Sequence, residues 1–165
     1  NTAMSRPWDD VISAEEIERY QAAGFGRPTG MGKRPALLII DVQYRTVGLE
    51  RRPYWEAIEE FKTSCGEVGW SAIDHIVPLL KVFRERGYPV FYPYVAPKMG
   101  YDAGRLAQKV PDIMKISARG YDFPTEIAPL EGDVLVPKKH PSAFFGTPLA
   151  SYLIDEGVGT RVGTG

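Results

Sequence analysis

Apolar residues along this chain follow two rhythms. Residues 36–40, Ala-Leu-Leu-Ile-Ile, form an unbroken apolar run closed by Asp41. A run that short, without polar alternation, predicts a strand buried on both faces, as in a parallel sheet. Residues 90–95 and 134–137 read as two more strands, and 160–164 begins a fourth. Pro93 argues against 90–95 being a regular central strand throughout. Between strands the spacing turns helical. Ile73, Ile76, Val77, Leu80 and Phe83 recur at helical intervals, with Gly87 as the stop. Pro78 inside that pattern predicts either a kink or a start later than Ser71. Ser13-Ala-Glu-Glu16 has the form of a capping box and predicts a short helix from Ala14 to Ala23, ended by Gly24. Thr147-Pro148 predicts the N-cap and first turn of a helix over Leu149 to Asp155, stopped by Gly157. Residues 24–35 read as loop. Residues 42–70, with Tyr44, Tyr54, Trp55 and Trp70, read as irregular, and 96–131 as a covering loop holding a short helix near Arg105.

Strands alternating with helices predict an α/β fold around a mostly parallel sheet with right-handed crossovers. The expected division is 1–35 as an N-terminal helix and lead-in loop, and 36–165 as the α/β domain. When all strands point one way, Asp41 at the end of one and Lys138 at the end of another come to the same edge of the sheet. That carboxyl edge is where open α/β sheets build their sites.

Composition removes several alternatives. The chain has 165 residues and a net charge of −1, from 20 basic and 21 acidic groups. It therefore offers no electrostatic case for nucleic acid or an anionic membrane. No apolar run reaches the ~18 residues needed to cross a bilayer, and the first ten residues hold no signal-peptide apolar region. Asn1 to Ala3, ahead of Met4, have the look of an expression scar. Cys65 is the one cysteine, so no internal disulfide forms. These features make the cytoplasm the expected location. The two histidines, His75 and His140, stand far apart, outside any HxH, HxxxH or DxH pattern. Neither a metal nor another cofactor is expected.

An aspartate at a strand end commonly caps the next loop, and a lysine after a strand is commonly solvated. A buried Asp–Lys pair is different, because it is costly unless satisfied and it often marks a site. The pair holds no good nucleophile, but it suits removing a proton from a thiol and holding the thiolate. Cys65, in an irregular loop before a helix, reads first as a small loop residue and only second as that thiol.

Three segments carry a specific resemblance: AGFGRPTGMGKRPALLIIDVQ at 23–43, SCGEVGW at 64–70 and VPKKHPSAFFGTPL at 136–149. In this order and spacing they resemble the isochorismatase-like cysteine hydrolase superfamily, and most of all its N-carbamoylsarcosine amidohydrolase and maleamate amidohydrolase branch. The resemblance implies a three-layer α/β/α fold and a catalytic Asp-Lys-Cys triad. Asp41 matches the base toward the thiol. Lys138, four residues before Ser142, matches the lysine; Lys139 and His140 are then spacers. The reaction implied is hydrolysis of a linear amide or ureido C–N bond in a small carboxylate-bearing substrate, with release of ammonia. Gln43, Tyr94 and Phe144 are candidate substrate-binding residues by position, though each reads equally well as a loop anchor or core aromatic. The carboxylate-binding group is not assigned by the sequence.

The resemblance further implies a homodimer or homotetramer, with 44–55 and 91–94 as aromatic stretches for an interface or a pocket. It also implies a cysteine about six residues beyond Gly165, at a helix start. The expectation is therefore a chain truncated at its C-terminal side and inactive as it stands. Rival readings are a nicotinamidase, disfavoured by the missing Asp-x-His metal motif, an isochorismatase-type vinyl ether hydrolase, and a non-catalytic binding module.

Overall fold

The computed structural model describes residue 8 and residues 10–165. The suspected scar at Asn1 to Ala3 lies outside the described residues. The chain divides into two compact units, Asn1–Met31 and Gly32–Gly165. In the first, helix α1 (Ala14–Ala22) starts where the Ser13 Oγ accepts the Glu16 N–H at 3.2 Å, as the capping box predicts. No residue of α1 is buried.

The second unit contains β1 (Pro35–Ile39), α2 (Tyr44–Val47), α3 (Tyr54–Glu60), α4 (Glu67–Glu85), β2 (Val90–Val95), α5 (Gly104–Lys109), β3 (Val134–Lys138), α6 (Leu149–Asp155) and β4 (Thr160–Thr164). Three 3-10 turns, Pro111–Met114, Ala118–Tyr121 and Thr125–Ile127, fill the long connection into β3. The four strands form one parallel sheet in the order β3-β2-β1-β4. Every residue of β1 is buried, as the unbroken apolar run predicts. Its side chains alternate between two cores. Leu37 and Ile39 pack with Ile73, Ile76, Leu80 and Phe83 of α4. Ala36 and Leu38 pack on the opposite face with Phe91, Val136, and Leu149 and Leu153 of α6. Helices therefore cover both faces, giving the three-layer α/β/α arrangement.

Residues 42–70 are not irregular: they hold α2, α3 and the first turn of α4. These pieces are too short to show a helical period. Helix α4 runs through Pro78, which is on its exposed face, where water can satisfy the carbonyl that proline leaves unpaired. Pro93 likewise stands in a strand with neighbours on both sides. Its carbonyl accepts the Asp41 N–H at 2.9 Å, so its ring nitrogen also faces β1. The regular pairing of β1 with β2 ends at Phe91, and beyond it Pro93 contributes its carbonyl to β1 but no donor. The aromatic stretch 91–94 cannot supply an interface as a whole, because Phe91 and Tyr92 are fully buried core residues.

At the amino end of the sheet, Arg84 of α4 forms an ion pair with Asp133 and also donates to the Tyr92 hydroxyl and the Ala128 carbonyl. Asp133 accepts the Leu130 N–H as well, at 2.9 Å. Burial raises the Tyr92 hydroxyl well above the ordinary tyrosine range, so it stays protonated and donates to Ile127 O. Replacing Asp133 strands a partly buried guanidinium. Asp133→Ala should lower stability by about 2–3 kcal/mol in urea unfolding of the intact protein. An unchanged midpoint would show that this network contributes nothing net.

Candidate active site

β1 delivers Asp41 to the carboxyl edge of the sheet. The Ile40 N–H still bonds Thr164 O of β4 at 2.8 Å, and the Asp41 N–H bonds Pro93 O of β2. At Asp41 the backbone then turns into the left-handed region, with φ 59°, the one non-glycine residue described with positive φ. Aspartate is among the few side chains that visit this region readily. β3 delivers Lys138 as its last residue.

The two side chains meet although β2 lies between their strands. Lys138 Nζ is 2.8 Å from Asp41 Oδ2, with the lysine side chain 1% exposed and the aspartate 31%. The ammonium also donates to the His140 and Pro141 carbonyls, each at 3.2 Å. Three acceptors therefore match its three N–H groups. Asp41 Oδ1 is buried and has no hydrogen-bond partner. One carboxylate oxygen is thus held by the lysine while the other remains an open acceptor. Asp41 forms part of the wall of a depression of about 420 Å³, together with Ile40, Thr46, Gly163, Thr164 and Gly165.

Gln43 is fully buried just behind Asp41. Its Nε2 donates to Val95 O at 3.1 Å and to Tyr121 O at 2.8 Å, while its Oε1 accepts the Val95 N–H at 3.0 Å. The carboxamide bonds β2 in the way a neighbouring strand's peptide would, after β1 has turned away. This geometry gives Gln43 the loop-anchor role. Tyr94 is half-buried with its ring edge-on to Phe123 at 5.6 Å. Phe144 is 40% exposed and stands beneath the Arg161 guanidinium, along a different depression formed with Leu153, Ile154 and Val158. Neither aromatic lines the Asp41 depression. Lys139 pairs with Asp102 at 2.9 Å and also donates to Pro97 O, fastening the loop after β2. Cys65 donates from Sγ to Thr46 O at 3.1 Å and packs against Gly69, where an added Cβ would lie 2.7 Å from the sulfur. Thr46 escaped the sequence reading, since it carries no distinctive chemical signature, whereas the 160–164 strand reads as the segment that leads toward the site. Arg45 also escaped it: it is a buried cation four residues after Asp41.

The model of the isochorismatase domain matches residues 35–165. The chain is 32% identical to the maleamate amidohydrolase of Pseudomonas putida, over 93% of its own length and 67% of that relative's. It is 28% identical to the N-carbamoylsarcosine amidase of an Arthrobacter species, over 88% of its own length and 54% of that relative's. Among solved structures, a cysteine hydrolase from Pseudomonas syringae superposes with a TM-score of 0.66 at 22% identity, covering 86% of this chain and 66% of that one, a likeness of fold.

The bracing geometry of Gln43 has a measurable consequence. Gln43→Ala orphans the N–H and carbonyl of Val95 and the carbonyl of Tyr121. It should lower stability by about 2–4 kcal/mol, read from thermal or urea unfolding. A residue that serves only a pocket would instead weaken substrate binding and leave the unfolding midpoint in place.

Proposed function

The chain belongs to the isochorismatase domain family, and we propose that the protein is an amidohydrolase that cleaves the C–N bond of a small carboxylate-bearing amide or ureide and releases ammonia. The observation that carries this reading is the Asp41–Lys138 pair, with Oδ2 held at 2.8 Å by a buried ammonium and Oδ1 left without a partner. A carboxylate fixed in this way is a general base with one lone pair aimed at nothing in the protein. The similarity to maleamate amidohydrolase and N-carbamoylsarcosine amidase supports the substrate class.

In the proposed reaction, Asp41 removes the proton of a cysteine thiol and the sulfur attacks the amide carbonyl carbon. The tetrahedral adduct collapses, the C–N bond breaks, and Asp41 returns its proton to the departing nitrogen, so that ammonia leaves a thioester. Asp41 then deprotonates a water molecule that attacks the thioester, and the thiolate leaves and recovers its proton. The net change is amide plus water to acid plus ammonia. Lys138 keeps Asp41 oriented throughout and offsets the negative charge that moves between carboxylate and sulfur.

Cys65 is a poor fit to the nucleophile. Its Sγ is engaged with Thr46 O, and it packs against Gly69 at the start of α4 rather than at a strand end. The thiol is proposed to come from the part of the relatives' length that this chain does not span.

Two substitutions test the assignment in the full-length protein. Asp41→Asn keeps the shape and removes the base, and Lys138→Met keeps most of the volume and removes the charge. Each should cut ammonia release from maleamate or N-carbamoylsarcosine by about 10³-fold, with the fold retained by circular dichroism. Near-normal turnover in either folded variant would sink the pair as the catalytic base and its support.

A further inference from the structure

Lys139 stands next to the lysine of the Asp41 pair, and the mechanism above leaves it unused. Val136 and Lys138 share the buried face of β3, while Lys139 lies half-buried just past the strand end. Its ammonium crosses to the loop that follows β2. There it pairs with Asp102 Oδ2 at 2.9 Å and donates to the Pro97 carbonyl. The contact also runs the other way. Lys98, on that loop, donates to the Lys139 carbonyl at 2.6 Å and to the Asp102 carbonyl at 3.3 Å. The Met99 N–H donates to Asp102 Oδ1 at 2.7 Å, so both carboxylate oxygens are engaged. The two loops part from strands that are still joined, since the Ala96 N–H bonds Lys138 O at 3.0 Å.

The result is a reciprocal clasp in which the lysine of each loop fastens the backbone of the other. A single exposed ion pair contributes little. Here the Asp102 side chain is only 16% exposed, and its bonds are charge-assisted and shared between a lysine and the backbone. What the clasp holds is the start of the turn that leaves β3. The next two residues, His140 and Pro141, supply the carbonyls that Lys138 needs besides Asp41. The far end of the turn is fixed by Ser142, whose Oγ accepts the Phe144 and Phe145 N–H groups, each at 3.2 Å. The two carbonyls are therefore anchored from both sides. With the near anchor released, they are free to swing away from a buried ammonium that depends on them.

We infer that Lys139 and Asp102 are positioning residues for the reaction: by clasping the loop after β2 to the turn after β3, they hold the His140 and Pro141 carbonyls on the Lys138 ammonium and so keep that ammonium on Asp41. The effect on rate rests on the amidohydrolase reading above, whereas the placement of Lys138 concerns the resting protein. Lys139 is then no spacer. It ties the lysine of the pair to the exit of the neighbouring strand.

The test reads the Lys138 ammonium directly, by lysine-ammonium NMR of the full-length protein, with the signal assigned by its loss in Lys138→Met. An ammonium whose N–H groups are all engaged and shielded from water exchanges slowly and gives a resolved signal. Asp102→Asn should broaden or abolish that signal. It should also lower kcat for maleamate at least about tenfold while KM moves less than about threefold. Lys139→Met should act in the same way and removes the pair from the other side if Asp102→Asn does not fold. Lys139→Arg, which keeps charge and donors, should recover most of both readouts. A purely structural role would lower the melting temperature and leave the signal and kcat of the folded variants in place, and that result would overturn the inference. If Asp41→Asn proves active, the mechanism fails, yet a Lys138 signal lost in Asp102→Asn still supports the clasp. If Asp41→Asn is inactive and Asp102→Asn turns over normally, the clasp has no part in the reaction and the inference falls.

Discussion

A buried ammonium is costly unless acceptors meet its N–H groups, and the carboxyl edge of this sheet is organised around meeting that demand for Lys138. The lysine ends β3 and the aspartate follows β1, two strands that are not neighbours. With strands about 4.8 Å apart, their ends stand some 10 Å from one another, so the pair forms only because the long lysine arm crosses the end of β2. The two further acceptors, the carbonyls of His140 and Pro141, come from the turn that leaves β3. The break at Pro141 thus folds back to complete the coordination of the residue just ahead of it. One cation ties together two strand ends and a loop, and it leaves a single carboxylate oxygen free.

The parallel sheet was legible because β1 is buried on both faces and its sequence says so without polar interruption. Given parallel strands, the meeting of Asp41 with Lys138 required only topology. What could not be read was anything that depends on side chains standing in for backbone. Gln43 offers two donors and two acceptors that suit a ligand as well as a peptide. Only the turn of the chain at Asp41 shows that β2 lacks a partner there, and that the carboxamide supplies one. Pro93 is the better guide: it argues against a central strand regular throughout, and the regular pairing with β1 does stop short of it. Proline brings no donor to a central strand, and here its carbonyl alone continues the contact with β1, to the Asp41 N–H.

The short helices α2 and α3 were hidden by their length. Four to seven residues cannot display a 3.6-residue period, and of their aromatics only Tyr44 is buried, while Tyr54 and Trp55 are exposed. The placement of these helices matters because α2 carries Thr46 to the wall of the Asp41 depression. An arginine such as Arg45 in a loop is ordinarily a solvated residue. Its burial over Tyr121 becomes visible only when the 3-10 turn at Ala118–Tyr121 is folded against α2. The long connection into β3, which reads as a polar cover, therefore packs one of its 3-10 turns against α2 and takes a hydrogen bond from Gln43.

The left-handed backbone at Asp41 bears on which residues this position could hold over time. Glycine, asparagine and aspartate tolerate that conformation, histidine less often, and branched or bulky side chains poorly. Of these, only aspartate brings a carboxylate. Glutamate would carry the same charge, but with a longer arm on a strained backbone. The main chain thus narrows which charged residue can stand here before chemistry does, and drift at this position leads most easily to asparagine or glycine, side chains that keep the fold and lose the charge.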